Sequence, residues 1–187
     1  RTRALAAVFS NPIPIDAEAR RELLGLATEV TAPADRAILI RAALERAPDS
    51  VLEVLPALYE RLDEPGRQTV VTMLGRLPSL RALEALVAIA ANATTDSDIQ
   101  LTAIYSIMDH CENGRASPSL GTLAPVVDTR LERLWPALER ADRERTWEAP
   151  EYQGTREAAG VLLDLVGCLP HASESPWIAR GAGLRDL

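Results

Sequence analysis

A repeated pattern of helix-length apolar segments constrains the fold of this chain more than any other feature of its sequence. A shift of 31 residues places Leu39 on Val70 and Leu52 on Leu83, and a second shift carries Val70 to Leu101. Within each segment the apolar residues recur with the 3.6-residue period of an α-helix. A repeat of about 30 residues made of two helices is typical of an α-solenoid, because one hairpin cannot cover its own apolar face.

Short breaks rich in Pro, Asp, Ser and Gly separate the apolar segments. Such residues start and end helices, and we find no alternating segment around Asn-Gly or Asp-Gly that predicts a β-hairpin. Aromatic residues reach only 4% of a chain that is 47% apolar, which also favours helix over strand. The predicted helices span residues 16–30, 33–47, 48–62, 68–77, 80–93, 97–111, 123–140 and 155–169.

Two prolines, Pro56 and Pro136, fall within similar stretches of the predicted second helices. Inside a helix each would delete a backbone hydrogen bond and kink the axis. In the first turn of a helix each would cost little, because the proline nitrogen there needs no partner. The sequence leaves both alternatives open.

One segment is specific enough to indicate a family. Leu74-Gly75, a short break, and then Ala82-Leu83-Glu84-Ala85-Leu86 resemble a HEAT repeat of the phycobilisome-lyase-like type. The resemblance covers residues 16–112 and implies a concave surface lined by the second helix of each pair. We therefore expect an all-α fold, a right-handed α-solenoid of about four HEAT-like helical hairpins, with an irregular C-terminal third.

The family usually carries an arginine near the start of each first helix. Arg36 and Arg67 match this pattern, whereas Gln100 stands at the corresponding place in the next unit. We expect a single domain over residues 1–187, with regular repeats over 16–112 and elaborated repeats and a cap over 113–187. Because residues 4–9 already read as the end of a helix, we expect the chain to be a fragment of a longer protein.

The net charge of the chain limits the classes of partner that it can attract. The formal net charge is −7 and the isoelectric point is near 4.9, which opposes broad attraction to nucleic acid or anionic lipid. No apolar run approaches the ~18 residues of a transmembrane helix, and no signal peptide opens the sequence. We expect a cytoplasmic protein that binds neither nucleic acid nor membrane.

Four residues have side chains that bind metals, namely His110, Cys111, Cys168 and His171. The spacing of Cys168 and His171 occurs in zinc sites, and the ends of helices 97–111 and 155–169 would lie side by side. However, adjacent His110 and Cys111 point about 100° apart on a helix, and both cysteines fall in apolar stripes. We interpret the cysteines as core residues and predict no metal; a metal site and a disulfide are the alternatives.

The sequence lacks the motifs of an enzyme. It contains no Gly-x-Ser-x-Gly, no phosphate-binding glycine loop and no His-Glu-x-x-His. We therefore predict no enzymatic activity and no cofactor.

The tryptophans all lie in the last third of the chain, at positions 135, 147 and 177. In one interpretation Trp135 belongs to the core and Trp147 closes the end of the array. In the other, Trp147 and Tyr152 anchor a contact surface in an irregular stretch over residues 142–154, since exposed aromatics beside arginine are typical of interfaces.

These observations predict a protein-interaction or scaffolding module whose partner is another protein or another domain of the same polypeptide. A bilin-lyase-like enzyme and a HEAT-like nucleic-acid-binding module, as in the HEAT-like DNA glycosylases, are the alternatives that the resemblance implies. The predicted contact residues are Glu53, Glu60, Arg81, Glu84, Arg130, Arg133, Trp147 and Tyr152.

Overall fold

The computed structural model describes residues 15–92, 94–144, 146, 149–170 and 172–185. All regular elements in these ranges are helical, which confirms the all-α prediction. The α-helices are α1 (Ala17–Glu29), α2 (Pro33–Leu44), α3 (Asp49–Leu52), α4 (Leu55–Tyr59), α5 (Glu64–Arg76), α6 (Leu80–Ala91), α7 (Ser97–Glu112), α8 (Ala124–Glu144), α9 (Pro150–Cys168) and α10 (Pro176–Arg185). Short 3-10 turns cover Pro118–Leu123 and Ala172–Glu174.

The helices pack in two rows. In the first row α2 contacts α5, α5 contacts α7, and α7 contacts α9. In the second row α1 contacts α3 and α4, and α3 contacts α6. The Pro118–Leu123 turn packs against both α6 and α8. Helices of one row also pack on the other, as α1 does on α2, α6 on α7, and α8 on α9.

One apolar core runs between the rows. Residues that the repeat aligns are buried together, including Leu39 with Val70 and Leu52 with Leu83. The core extends from Leu23 in α1 to Trp177 in α10. Of the helices in the described ranges, none is both long and apolar enough to cross a bilayer.

Capping side chains determine where several helices begin. The Asp16 carboxylate accepts a hydrogen bond from the Ala19 amide at 2.8 Å and starts α1 as predicted. The Asp63 carboxylate accepts one from the Gly66 amide at 3.0 Å, so α5 begins at Glu64. The predicted start of this helix at Gln68 was therefore wrong, because Pro65 lies in the first turn, where its missing N–H costs nothing.

The two prolines behave differently. The predicted helix 48–62 is interrupted at Glu53 and Val54, and Pro56 lies in the first turn of α4. Pro136 lies inside the continuous helix α8, where it cannot donate a backbone hydrogen bond to Glu132. Pro56 thus follows the first-turn alternative and Pro136 the interior alternative.

The repeat interval lengthens between the second and third units. Helices α2 and α5 begin 31 residues apart, at Pro33 and Glu64, but α7 begins 33 residues after α5. Consequently Val70 corresponds to the fully buried Ala103 and not, as predicted, to Leu101, which is only half-buried. One of the two additional residues lies in α6 and the other in the connection between α6 and α7.

The fourth residue of α2 links one unit to the next. Arg36, 8% exposed, donates hydrogen bonds to the carbonyl of Ala27 at 3.2 Å and to that of Val30 at 3.1 and 2.5 Å, at the C-terminal end of α1. Its guanidinium also forms an ion pair with Asp63. Burial raises the pKa of Asp63, but hydrogen bonds from Arg36 and Gly66 and the charge of Arg36 outweigh that effect, so this pKa lies below its usual value.

The fourth residues of α5 and α7 also donate hydrogen bonds to carbonyl oxygens at the end of a preceding helix. Arg67 donates to the carbonyl oxygens of Tyr59 at 3.2 Å and Glu60 at 3.0 Å, at the end of α4. Gln100 donates its amide to the Asn92 carbonyl at 2.7 Å, at the end of α6. Gln100 therefore fills the place of the arginine, because a C-terminal carbonyl requires only an N–H donor.

Helix α5 lies close against α7 at Gly75. A Cβ atom at this position would lie 2.7 Å from Oγ and 2.9 Å from Cβ of Ser106. Any side chain at this position would overlap Ser106 and force it to shift, which explains why glycine follows Leu74 near the end of this helix.

The C-terminal third is more helical than predicted. Helix α8 extends to Glu144 and α9 begins at Pro150, so most of the irregular stretch predicted over residues 142–154 is helical. The predicted start of this helix at Thr155 was wrong, because Pro150 starts the helix more than one turn earlier. The tail forms α10, where Trp177 is buried and its ring lies 5.3 Å from that of Trp135.

Candidate functional site

Three of the predicted contact residues take part in local ion pairs. Arg81 and Glu84 lie on the exposed side of α6 with 3.2 Å between Nη1 and Oε2. Glu60 lies 3.7 Å from Arg67, at the end of α4. Glu53 is exposed between α3 and α4. These charges lie at separate places on the second row and are partly neutralised by their neighbours.

Arg130 and Arg133 do come together, on one side of α8. They line a groove of about 680 Å³ between the start of α7, the first half of α8 and the middle of α9. Pro125, Thr129 and Arg133 are exposed, so the groove opens to solvent. The other lining residues are Ala91, Thr95, Ser97, Gln100, Leu101, Val126, Leu134, Ala158 and Leu162.

Arg130 is held in place by α7. Its Nη2 donates to Gln100 Oε1 at 2.6 Å and lies 3.4 Å from Ser97 Oγ. Burial, and to a smaller extent the charge of Arg133, lower the pKa of Arg130, yet an arginine remains charged at neutral pH. Because Gln100 also binds the Asn92 carbonyl, a chain of hydrogen bonds joins the end of α6 to the guanidinium in the groove.

Arg133 is exposed and has no ion-pair partner among residues of known position. Among the described residues that line the groove, none is acidic. The chain as a whole carries 27 acidic and 20 basic residues. The groove is therefore a local positive region on an acidic protein, and an anionic group is the natural complement to it.

A smaller apolar pocket adjoins this groove. It has a volume of about 150 Å³, and its apolar walls come from α4 and α6. Thr95, in the connection between α6 and α7, lines both the pocket and the groove. The remaining lining residues are Leu55, Pro56, Tyr59, Glu60, Ala85, Ala88, Ile89 and Asn92.

Sequence reasoning found Arg130 and Arg133 but missed the pocket. The signal for it was Pro56, because the break in the helix before this residue separates α3 from α4 and places Leu55 and Tyr59 opposite α6. Sequence reasoning also missed the role of Gln100 in the groove, although the departure from arginine marked that position.

The aromatic contact surface is described only in part. Tyr152 is half-buried in the first turn of α9, and not in a loop as expected. Trp147 lies outside the described residues. Trp135 packs against the core, as one interpretation held, and the Nε1 of Trp177 donates to Asp128 at 2.8 Å.

The cysteines lie at neighbouring helix ends, as predicted from the order of the helices. Cys111 of α7 and Cys168 of α9 are free thiols in hydrogen-bond contact. Burial, followed by the contact with Cys168, raises the pKa of Cys111 to about 12. His110 is fully buried, with Nε2 placed 3.3 Å from the Leu74 carbonyl oxygen. His171 lies outside the described residues, and the rest contain no group of three metal-binding side chains.

Comparison of the chain with protein-family models, curated proteins and solved structures found no match. The HEAT-repeat resemblance thus remains a prediction, and the site must be interpreted from its own geometry.

Proposed function

We propose that this chain is a protein-interaction module built as a short right-handed α-solenoid of HEAT-like hairpins. Two observations support this architecture. Within each row, a helix of one unit contacts the corresponding helix of the next unit. The fourth residues of α2, α5 and α7 all donate hydrogen bonds to carbonyl oxygens at the end of a preceding helix. In such an array the stacked units provide a rigid surface, on which a partner binds with little reorganisation.

The groove beside Arg130 and Arg133 carries the functional part of the proposal. It combines an open concave shape, apolar walls from Leu134 and Leu162, and two positive side chains. Arginine is enriched at protein interfaces because its flat guanidinium combines packing with several hydrogen bonds. The partner is another protein or another domain of the same polypeptide, and the two free thiols are compatible with the cytoplasm.

Site-specific photo-crosslinking tests this proposal with a matched pair of positions. Thr129 and Thr72 are both exposed helical threonines whose hydroxyls donate to the carbonyl four residues earlier, at 2.8 and 2.9 Å. Thr129 lines the groove, whereas Thr72 lies on α5 away from it. A photoreactive phenylalanine analogue replaces each threonine in turn, and the full chain is irradiated in lysate of the source cells.

We expect a saturable crosslink from position 129 to a discrete protein and none from position 72. Equal crosslinking from both positions, or crosslinks from position 129 to nucleic acid alone, would contradict the proposed function.

A further inference from the structure

The arginines of the groove have unused hydrogen-bonding capacity. Among contacts with other described residues, Arg130 uses Nη2 toward Gln100 and Ser97, and Arg133 forms no hydrogen bond. A guanidinium has five N–H donors arranged as a planar fork. The two side chains are three positions apart on α8, so their like charges repel each other and an anion between them would relieve that repulsion.

Carboxylate is an anion that fits this arrangement. Its two oxygens match the fork of an arginine and accept two parallel hydrogen bonds. The apolar walls from Val126, Leu134 and Leu162 partly exclude water, which strengthens such a charge-assisted contact. No acidic side chain in the described lining of the groove competes for the arginines.

The neighbouring pocket suggests a second element of the ligand. A cavity of about 150 Å³ lined by apolar side chains holds a group the size of benzene, and this pocket has that volume. Because Thr95 borders both cavities, a ligand can occupy them together. The pocket therefore fits one medium-sized apolar side chain close to the bound carboxylate.

We propose that the groove binds a short acidic peptide segment of the partner, whose carboxylates contact Arg130 and Arg133 while a neighbouring apolar side chain enters the pocket. This inference rests on the proposed function and specifies its partner.

Charge arguments favour an acidic peptide over nucleic acid. The net charge of −7 repels a long polyanion along the whole surface, whereas a short segment with a few carboxylates experiences mainly the local field. At physiological salt that field is limited to about 8 Å by screening. The part of the groove lining that the structure describes also contains no aromatic side chain on which an unpaired base could stack.

The test begins with selection from a random peptide display library on the intact immobilised chain. We expect the enriched peptides to contain acidic residues beside a Leu, Met or Phe. If no peptide of any composition is enriched, the proposed function itself fails. If peptides are enriched without acidic residues, only the present inference is overturned.

Fluorescence anisotropy then measures binding of a short labelled Gly/Ser peptide that carries one Leu followed by consecutive Asp residues. Arg133→Glu is compared with Arg21→Glu, which makes the same charge change at an exposed site on α1. We expect Arg133→Glu to raise the Kd at least about tenfold and Arg21→Glu to change it less than about twofold. Thermal melts verify that both variants are folded.

Two matched probes separate the parts of the ligand. Replacing Asp by Asn in the peptide should weaken binding and abolish the difference between the two variants. Replacing Leu by Ser should make binding insensitive to Ala88→Trp, a change that fills the pocket from an exposed position. Equal affinity for the Asp and Asn peptides, or displacement of the Asp peptide by a single-stranded oligonucleotide at lower concentration than by unlabelled peptide, would overturn the inference.

Discussion

Replacing Arg36 by methionine tests the contact that joins the first units of the chain. Methionine keeps most of the apolar length of the side chain but removes all of its donors. The carbonyl oxygens of Ala27 and Val30 lose their bonds to the guanidinium, and Asp63 loses its ion-pair partner. Arg36 is only 8% exposed, so water replaces these contacts poorly.

The structure indicates the size of the effect. A buried polar group that loses its partner costs about 1–3 kcal/mol, and two carbonyl oxygens are affected. The Asp63 side chain is 44% exposed, so the loss of its ion pair adds at most about 1 kcal/mol. We expect the free energy of unfolding to fall by about 3 kcal/mol. With a slope near 2 kcal/mol/M, the urea midpoint falls by about 1.5 M.

Urea denaturation followed by circular dichroism measures this change. Arg41→Met is the matched control, because Arg41 is exposed on the same helix and should change stability by less than about 0.5 kcal/mol. If the two variants unfold at the same urea concentration, the contact at the end of α1 contributes nothing and the role assigned to the fourth residue is refuted.

Three further perturbations follow from buried groups. Gly75→Ala should destabilise the chain by about 1–2 kcal/mol, because the added methyl group overlaps Ser106. Gly25 has open space around it, so Gly25→Ala should stabilise the chain by up to about 1 kcal/mol. Thermal melts measure both changes, and a shift of the same sign at both sites would contradict this prediction. Burial lowers the pKa of His110 in the folded chain, so the imidazole takes up a proton at higher pH when the chain is unfolded. The free energy of unfolding should therefore fall by up to about 1.4 kcal/mol per pH unit as pH drops below about 6.5. His110→Phe should reduce that decline in urea titrations, and an unchanged slope would show that other groups cause it. The pKa of Cys111 is about 12, so very little of this thiol is in the reactive thiolate form at pH 8. Its alkylation by iodoacetamide at pH 8 should be at least about a hundredfold slower in the folded chain than in urea. Comparable rates would place this thiol in solvent.

Some helix starts were predictable from a local signal, although the cap at Asp63 was missed. Asp16 and Ser79 begin helices because their side chains accept hydrogen bonds from nearby amides, which depends on adjacent residues alone. Pro56 and Pro136 lie in similar local sequences, yet only the former interrupts a helix. Packing around each segment decides between those outcomes, and that information is distributed over distant residues.

The candidate site was predictable in part for the same reason. Arg130 and Arg133 were predicted as contact residues from their positions on an expected second helix. Arg81 and Glu84 were predicted on the same ground, and nothing in the sequence separates the two pairs. Two features distinguish the groove from the surface of α6: its lining residues of known placement include no carboxylate, and Ser97 and Gln100 lie beside Arg130. Both depend on how α7 meets α8, which no short-range pattern in the sequence expresses.

The side chains at the fourth positions have a consequence for how this molecule unfolds. The end of α4 obtains donors from Arg67 in α5, and the end of α6 obtains one from Gln100 in α7. The ends of α4 and α6 therefore depend on the following unit, whereas the end of α2 depends on the preceding helix, since Arg20 of α1 donates to the carbonyl oxygens of Ala42, Ala43 and Glu45. Shortening the protein from either end would therefore remove donors as well as apolar contact, and would weaken the terminal unit that remains.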